Sequence, residues 1–160
     1  MSSSHFDEAG RARMVDVGAK DETRREAIAR GRVLLSQEAF ERVAKGQASK
    51  GDVIGISRIA GIQAAKRTAE WIPLAHPLPL EAIEVDLVPD PEGPSIEIEA
   101  RVRTTGKTGV EMEALTAVTA AALTVYDMCK SVDRGMVIDA VRLIRKSGGK
   151  SGTYIREPEL

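Results

Sequence analysis

The chain has 160 residues, of which 42% are hydrophobic and 29% charged, and its formal net charge at pH 7 is −1. This length suits a single domain with its own core, and the composition is neither that of a disordered chain nor that of a membrane protein. The near-zero net charge argues against a nucleic-acid-binding protein, because binding to a polyanion requires a basic surface.

The N-terminus and the single cysteine predict a cytoplasmic protein. The first residues, MSSSHFDEAGRAR, lack the apolar segment of an export signal, and no apolar stretch reaches the roughly 20 residues that span a bilayer. Cys129 cannot form an intrachain disulfide, and its helix-like surroundings favour a small buried side chain over a nucleophile. No aromatic residue lies in a predicted strand, so the stacking platform of an RNA-binding sheet is missing; the five are Phe6, Phe40, Trp71, Tyr126 and Tyr154.

The first half of the chain predicts an arm, a strand and two helices. Residues 1–20 are expected to form a flexible N-terminal arm, and residues 21–160 a single domain. Small and apolar residues alternate over 25–35, which predicts a strand. Ser36 should cap a short helix over 37–45, and Asp52 a longer one over 53–71. On the longer helix we expect Ile59, Ile62 and Ala65 to share the buried face, with Gly55 and Gly61 permitting close packing.

The second half predicts a hairpin, a long helix and a last strand. Residues 82–88 and 95–103 alternate between apolar and charged side chains on either side of PDPEGP, as in an antiparallel hairpin. Residues 110–132 are rich in helix-forming side chains, and MVIDAVRLI at 136–144 supplies a strand. The order of elements is that of a split βαβ unit. We therefore predict an α+β, ferredoxin-like domain with an antiparallel sheet and one extra short helix.

Two glycine-rich turns carry a lysine, but neither is a P-loop. TGKTG at 105–109 lies between a predicted strand and a helix, yet the P-loop motif requires a glycine where Arg101 stands. GGKSG at 148–152 fails in the same way at Ile144. Lys107 and Lys150 are either ordinary phosphate contacts or solvated turn residues, and the sequence leaves both interpretations open.

Several charged residues are ambiguous when each is considered alone. Glu111 and Glu113 suit the first turn of any helix, and Asp127 with Lys130, at i and i+3, suits a surface ion pair. His76 lies in a proline-rich loop and is the only histidine of the predicted domain, so no transition-metal site is expected. Lysines beside glycines and in loops hint at a polyanionic ligand.

Considered together, these segments resemble the MoaC family, the cyclic pyranopterin monophosphate synthases of molybdenum cofactor biosynthesis. The resemblance runs in order and spacing through most of the chain. It is carried by RMVDVGAK at 13–20, KGDVIGISRIAGIQAAKRT at 50–68, IPLAHPLPL at 72–80, TGKTGVEMEALTAVTAAALTVYDMCK at 105–130 and GMVIDAVRLIRKSGGKSG at 135–152.

The resemblance implies an enzyme of the lyase class with a ferredoxin-like catalytic domain over 21–160. Members of the family convert 3′,8-cyclo-7,8-dihydroguanosine triphosphate into cyclic pyranopterin monophosphate and pyrophosphate. They are homohexamers, trimers of dimers, with active sites between subunits. No tightly bound cofactor and no protein metal site is expected, although Mg²⁺ could accompany the phosphates. The alternative is a non-catalytic nucleotide-binding or regulatory domain of the same fold.

The resemblance also assigns roles to individual positions. It implies catalytic roles for Asp127, Lys130, Lys50, His76 and Glu111. It implies substrate binding by Leu74, Ala75, His76, Met112, Glu113, Arg25, Lys66 and Lys146. Ala75 departs from the family, whose members typically carry cysteine there, so any role of that thiol is absent from this chain while a backbone contact at the position remains available.

The spacing along the long helix adds a physical requirement. At a rise of about 1.5 Å per residue, Glu111 and Asp127 would lie roughly 24 Å apart on one helix. If both serve one small-molecule site, they must come from different subunits.

Overall fold

The computed structural model describes residues 5–158, which form one five-stranded antiparallel sheet and four helices. In chain order these are β1 (Thr23–Leu34), α1 (Gln37–Ala44), α2 (Val53–Lys66), α3 (Thr68–Trp71), β2 (Ala82–Asp90), β3 (Ser95–Gly106), α4 (Glu111–Cys129), β4 (Val137–Ser147) and β5 (Tyr154–Ile155). Apart from the region of α2 and α3, the predicted elements are present with ends within three residues of those expected.

The sheet has the strand order β2-β3-β1-β4-β5, with every neighbouring pair antiparallel. β1 is central and pairs with β3 along its whole length, from Thr23 opposite Gly106 to Leu34 opposite Ser95. β2 and β3 form the predicted hairpin. The α+β, ferredoxin-like prediction with one extra short helix is therefore confirmed.

One face of the sheet is apolar and the other is charged, as the alternation along the strands requires. Ala27, Ala29 and Val33 of β1 are fully buried in the core. The opposite face carries ion pairs between neighbouring strands, including Arg30 with Glu99 at 2.6 Å. The core thus lies between the sheet and the helices on its apolar face.

Helices α2 and α4 pack together through small residues. A Cβ atom at Gly61 would lie 2.9 Å from the carbonyl oxygen of Ala117, so this close approach requires glycine. Ile59 is 57% exposed, and its predicted place on the buried face is wrong. The reason is that the face against α4 is occupied by small side chains, among them Ser57 and Ala64, so Ile59 points outward. Ala65 is buried and Ile62 packs against the core, as predicted.

The predicted helix over 53–71 is interrupted. α2 ends at Lys66, and α3 begins at Thr68 after Arg67, whose ψ of 17° leaves the helical range. The Thr68 hydroxyl donates a hydrogen bond of 2.9 Å to the Ala65 carbonyl, in competition with regular helical bonding. The caps themselves are as predicted, since Ser36 accepts from the Ala39 amide and Asp52 from the Gly55 amide.

The two-residue strand β5 was not predicted. It pairs Tyr154 with Lys146 and Ile155 with Arg145 at the edge of the sheet. The expectation that no aromatic residue lies in a strand is therefore wrong for Tyr154. So short a strand carries no periodicity that a sequence pattern could detect. Among residues 5–158, no helix is long and apolar enough to cross a membrane.

Candidate functional site

The C-terminal end of α4 carries an aspartate–lysine cluster, formed by Lys50, Asp127 and Lys130. The Lys130 ammonium donates to Asp127 Oδ1 at 2.8 Å. Lys50 donates to Asp127 Oδ2 at 3.2 Å and to its backbone carbonyl at 3.0 Å. These hydrogen bonds, first from Lys130 and then from Lys50, lower the pKa of Asp127. An ionised carboxylate therefore holds two exposed ammonium groups side by side.

The fold explains why Lys50 reaches this cluster. It immediately precedes the turn that leads into α2, where Gly51 adopts a φ of +99° that favours glycine. Because α2 and α4 run antiparallel, the start of α2 lies beside the end of α4. Lys130 is the residue that follows the last turn of α4, where a cation also complements the helix dipole.

The other end of α4 borders a cavity of about 260 Å³, here called the histidine cavity. It lies between the loop from α3 to β2 and the first turn of α4. The structure brings six of the predicted site residues together here: Leu74, Ala75, His76, Glu111, Met112 and Glu113.

Glu113 is the most perturbed acid of this cavity. It is only 4% exposed although it lies in the first turn of a helix. Burial raises its pKa to about 7, and the negative charge of Glu111 adds to the shift. A carboxyl group with this pKa can both donate and accept a proton near neutral pH.

A second cavity of about 170 Å³, here called the Lys66 cavity, adjoins the first. His76, Leu78 and Glu113 line both cavities and so separate them. Lys66 comes from the end of α2, which lies beside the start of α4. Its ammonium group therefore belongs to the same region as the buried carboxyl group of Glu113.

The His76 ring is fixed by the N-terminal arm. Its Nε2 atom lies 2.6 Å from the carbonyl oxygen of Val15. Because a carbonyl can only accept, Nε2 carries the proton and donates it, which leaves Nδ1 as the acceptor of the neutral ring. Val15, Val17 and Lys20 also line the histidine cavity. No individual feature of the sequence indicated that these arm residues belong to the site, although the segment RMVDVGAK at 13–20 is part of the family resemblance.

A third cavity of about 470 Å³, here called the basic cavity, lies between β1 and the turn after β4. Lys20, Arg25 and Lys150 line it, together with the backbone of Gly149. Arg25 is oriented by a hydrogen bond of 2.9 Å from Nε to the Gly106 carbonyl. Lys20 lines both this cavity and the histidine cavity, so the two cavities are neighbours.

Glycine is required where the turn after β4 meets Arg25. Gly149 has a φ of +76°, and a Cβ atom there would lie 2.3 Å from Arg25 Nη1. Lys146 does not line the basic cavity, but its ammonium donates to Ser151, which does. Lys150, whose role the sequence left open, lines the basic cavity, whereas Lys107 donates to the Gly18 carbonyl of the arm at 2.9 Å.

The predicted site residues do not all meet within one chain. α4 is continuous from Glu111 to Cys129, so the aspartate–lysine cluster and the histidine cavity lie at opposite ends of it, with Glu111 and Asp127 roughly 24 Å apart. Among the described residues, no group of three or more His, Cys, Asp and Glu side chains is placed to hold a metal ion.

Comparison with known proteins places this chain among close relatives. The protein-family model described as MoaC family matches residues 14–149 of this chain. A protein of Pelotomaculum thermopropionicum named cyclic pyranopterin monophosphate synthase is 63% identical over 156 residues, covering 98% of this chain and 92% of that protein. Two further relatives carry the same name. The protein of Heliobacterium modesticaldum is 60% identical and covers 96% of this chain and 97% of its own length. The protein of Desulfitobacterium hafniense is 56% identical and covers 100% of this chain and 98% of its own length.

Proposed function

Because the chain belongs to the MoaC family, we propose that it is a cyclic pyranopterin monophosphate synthase. The observation that carries this proposal is identity of 53–63% to synthases over nearly the whole chain. The reaction converts (8S)-3′,8-cyclo-7,8-dihydroguanosine 5′-triphosphate into cyclic pyranopterin monophosphate and pyrophosphate, which makes the protein a lyase of molybdenum cofactor biosynthesis. We place this reaction in the cytoplasm, whose reducing conditions suit the buried free thiol of Cys129.

The histidine cavity is suited to the pterin-forming half of the reaction. Opening the five-membered ring of the purine and closing a pyrazine ring requires several proton transfers. His76 presents Nδ1 as a proton acceptor, and Glu113, with a pKa of about 7, can donate or accept a proton near neutral pH. In this scheme Leu74, Ala75 and Met112 contact the pterin precursor.

The basic cavity is suited to the triphosphate. Forming the cyclic phosphate requires a hydroxyl group to attack the α-phosphorus while pyrophosphate leaves, and cations stabilise the charge that develops. Arg25 and Lys150 line this cavity, and Lys20 connects it to the histidine cavity. Lys146 and Lys66 extend the positive charge around the substrate. Any Mg²⁺ would arrive on the phosphates themselves, since among the described residues the lining of the basic cavity includes a single carboxylate, that of Asp21.

The aspartate–lysine cluster completes the site from another subunit in our proposal. Lys50 and Lys130 act as proton donors and acceptors there, and Asp127 holds them in place. The separation along α4 supports this arrangement, and so do apolar side chains on the outer faces of α2 and α4, such as Ile56, Ile59 and Leu123. We propose a homohexamer, a trimer of dimers, in which each site combines the two ends of α4 from two chains.

The direct test supplies the purified protein with the cyclised GTP derivative and follows pyrophosphate and the pterin product. The wild type should form both, and Lys50→Ala and Asp127→Asn should lose most of this activity. Lys45→Ala just after α1 and Asp90→Asn at the end of β2 are matched controls outside the site, and both should retain the activity. Binding of the substrate without product would instead support the non-catalytic alternative, and undiminished rates in the two site variants would contradict the residue assignment.

Subunit sharing can be tested by mixing two inactive chains. In the proposed arrangement each site takes His76 from one chain and Lys50 from the other. When His76→Ala and Lys50→Ala chains are co-expressed, a mixed pair therefore has one site that lacks both side chains and one site that has both. Random pairing should then restore about a quarter of the wild-type activity. If each site lay within one chain, mixing would restore nothing.

A further inference from the structure

The N-terminal arm is attached to the histidine cavity at two points that lie three residues apart. The Val15 carbonyl accepts a hydrogen bond from His76 Nε2, and the Gly18 carbonyl accepts one from Lys107. The first attachment holds the loop before β2, and the second holds the turn before α4. These are the two segments between which the histidine cavity lies.

The backbone between the two attachments is itself shaped by local hydrogen bonds. The Asp16 carboxylate accepts a hydrogen bond of 2.8 Å from the Gly18 amide, which forms a tight turn. The Lys20 amide closes a second turn onto the Val17 carbonyl at 3.1 Å. The Val15 carbonyl therefore immediately precedes a turn that is closed by Asp16 and attached to the domain by Lys107.

We propose that residues 15–18 are a positioning segment, in which the Val15 carbonyl fixes His76 as the Nε2–H tautomer and thereby makes Nδ1 its proton acceptor in the reaction. This inference rests on the proposed function only for its catalytic consequence. The tautomer itself follows from the chemistry of the contact, because a backbone carbonyl has no proton to give. Val15 acts through its backbone, so the contact does not depend on the identity of its side chain.

The tautomer can be observed without substrate. The chain contains two histidines, so ¹⁵N-histidine labelling gives two imidazole patterns, and the His76→Gln variant identifies that of His76. The wild type should show a slowly exchanging Nε2–H proton on His76, with Nδ1 unprotonated. An Nδ1–H tautomer, or no observable Nε2–H proton under conditions where the ring is neutral, would overturn the proposal.

Two variants of opposite charge test whether the arm sets this geometry. Lys107→Met removes a positive charge and the hydrogen bond to the Gly18 carbonyl. Asp16→Ala removes a negative charge and the hydrogen bond that closes the turn at Gly18. If the arm positions His76, both should weaken the Nε2–H signal, and both should lower kcat roughly tenfold or more, since a small misplacement of a reacting group is costly. Asp16→Asn, which keeps the acceptor oxygen, should retain the signal.

Lys45→Met is the matched control for loss of a lysine and should change neither measurement. If Lys107→Met and Asp16→Ala leave the His76 signal and kcat unchanged, or change them in opposite directions, the positioning role is refuted. If the wild type shows the expected tautomer but forms no pterin product, the proposed function fails while the structural contact stands.

Discussion

Glu113→Gln should stabilise the protein, and the gain should increase with pH. In the folded chain Glu113 has a pKa of about 7, raised by burial from an ordinary value of 4.5. Below pH 4.5 the group is protonated in both the folded and the unfolded state, and it contributes no pH dependence. Between pH 4.5 and 7 the unfolded chain releases this proton while the folded chain retains it. Because the folded state binds more protons in that window, the free energy of unfolding falls as the pH rises.

The size of this effect follows from the shift. A difference of about 2.5 pKa units corresponds to roughly 3 kcal/mol at pH 8, and to less than about 1 kcal/mol at pH 5. The amide in Glu113→Gln is never charged, so the variant should avoid this penalty. Urea unfolding of both proteins at pH 5, 6, 7 and 8, at one protein concentration, measures the difference.

The control for this experiment is Glu92→Gln, which changes an exposed glutamate in the turn between β2 and β3. Its free energy of unfolding should differ from that of the wild type by less than about 0.5 kcal/mol at every pH. A stability difference for Glu113→Gln that is flat with pH, or that shrinks as pH rises, would refute the interpretation of Glu113 as a carboxyl group destabilised by burial of its charge.

Three further outcomes are expected. Ala140→Gly should raise the free energy of unfolding by about 1 kcal/mol in urea titrations, because Ala140 has a φ of +53° that costs any residue with a Cβ atom. Lys130→Met should raise the pKa of Asp127 towards its ordinary value, measured by carboxyl ¹³C NMR, because the largest lowering contribution is lost. Gly61→Ala should lower the thermal midpoint, because the clash with the Ala117 carbonyl, roughly 1–3 kcal/mol, exceeds the gain in helix propensity of about 1 kcal/mol.

The strands could be predicted because their alternation is strong, and the long helix because residues 110–132 are rich in helix-forming side chains. In β1 the buried residues Ala27, Ala29, Gly31 and Val33 occur at every second position, and the same alternation is present in β2 and β3. The buried face of α2 could not be predicted by seeking its largest apolar residues. Close approach to α4 selects small side chains, which placed Gly61 inside and Ile59 outside.

The candidate site could be predicted only in part. The family resemblance predicted that the residues of the histidine cavity belong to one site. The rise of an α-helix predicted that Glu111 and Asp127 lie far apart within one chain. The contact between Val15 and His76 could not be predicted, because it involves a backbone carbonyl from a segment that appeared to be a flexible arm. The sequence also does not show that the Glu113 side chain is buried. A glutamate in the first turn of a helix is usually exposed and complements the helix dipole.

The packing of α2 against α4 connects the two halves of the proposed site. Because the helices are antiparallel, Lys50 before α2 meets Asp127 at one end, and Lys66 at the end of α2 lies near Glu113 at the other. The small-residue contact at Gly61 lies between these ends. One end of this helix pair holds two lysines against the Asp127 carboxylate, whereas at the other end Lys66 and Glu113 line one cavity. The exposed Asp127 stays ionised, whereas the buried Glu113 exchanges its proton near neutral pH, so a site that combines both ends from two chains would contain a permanent anion and a titrating acid.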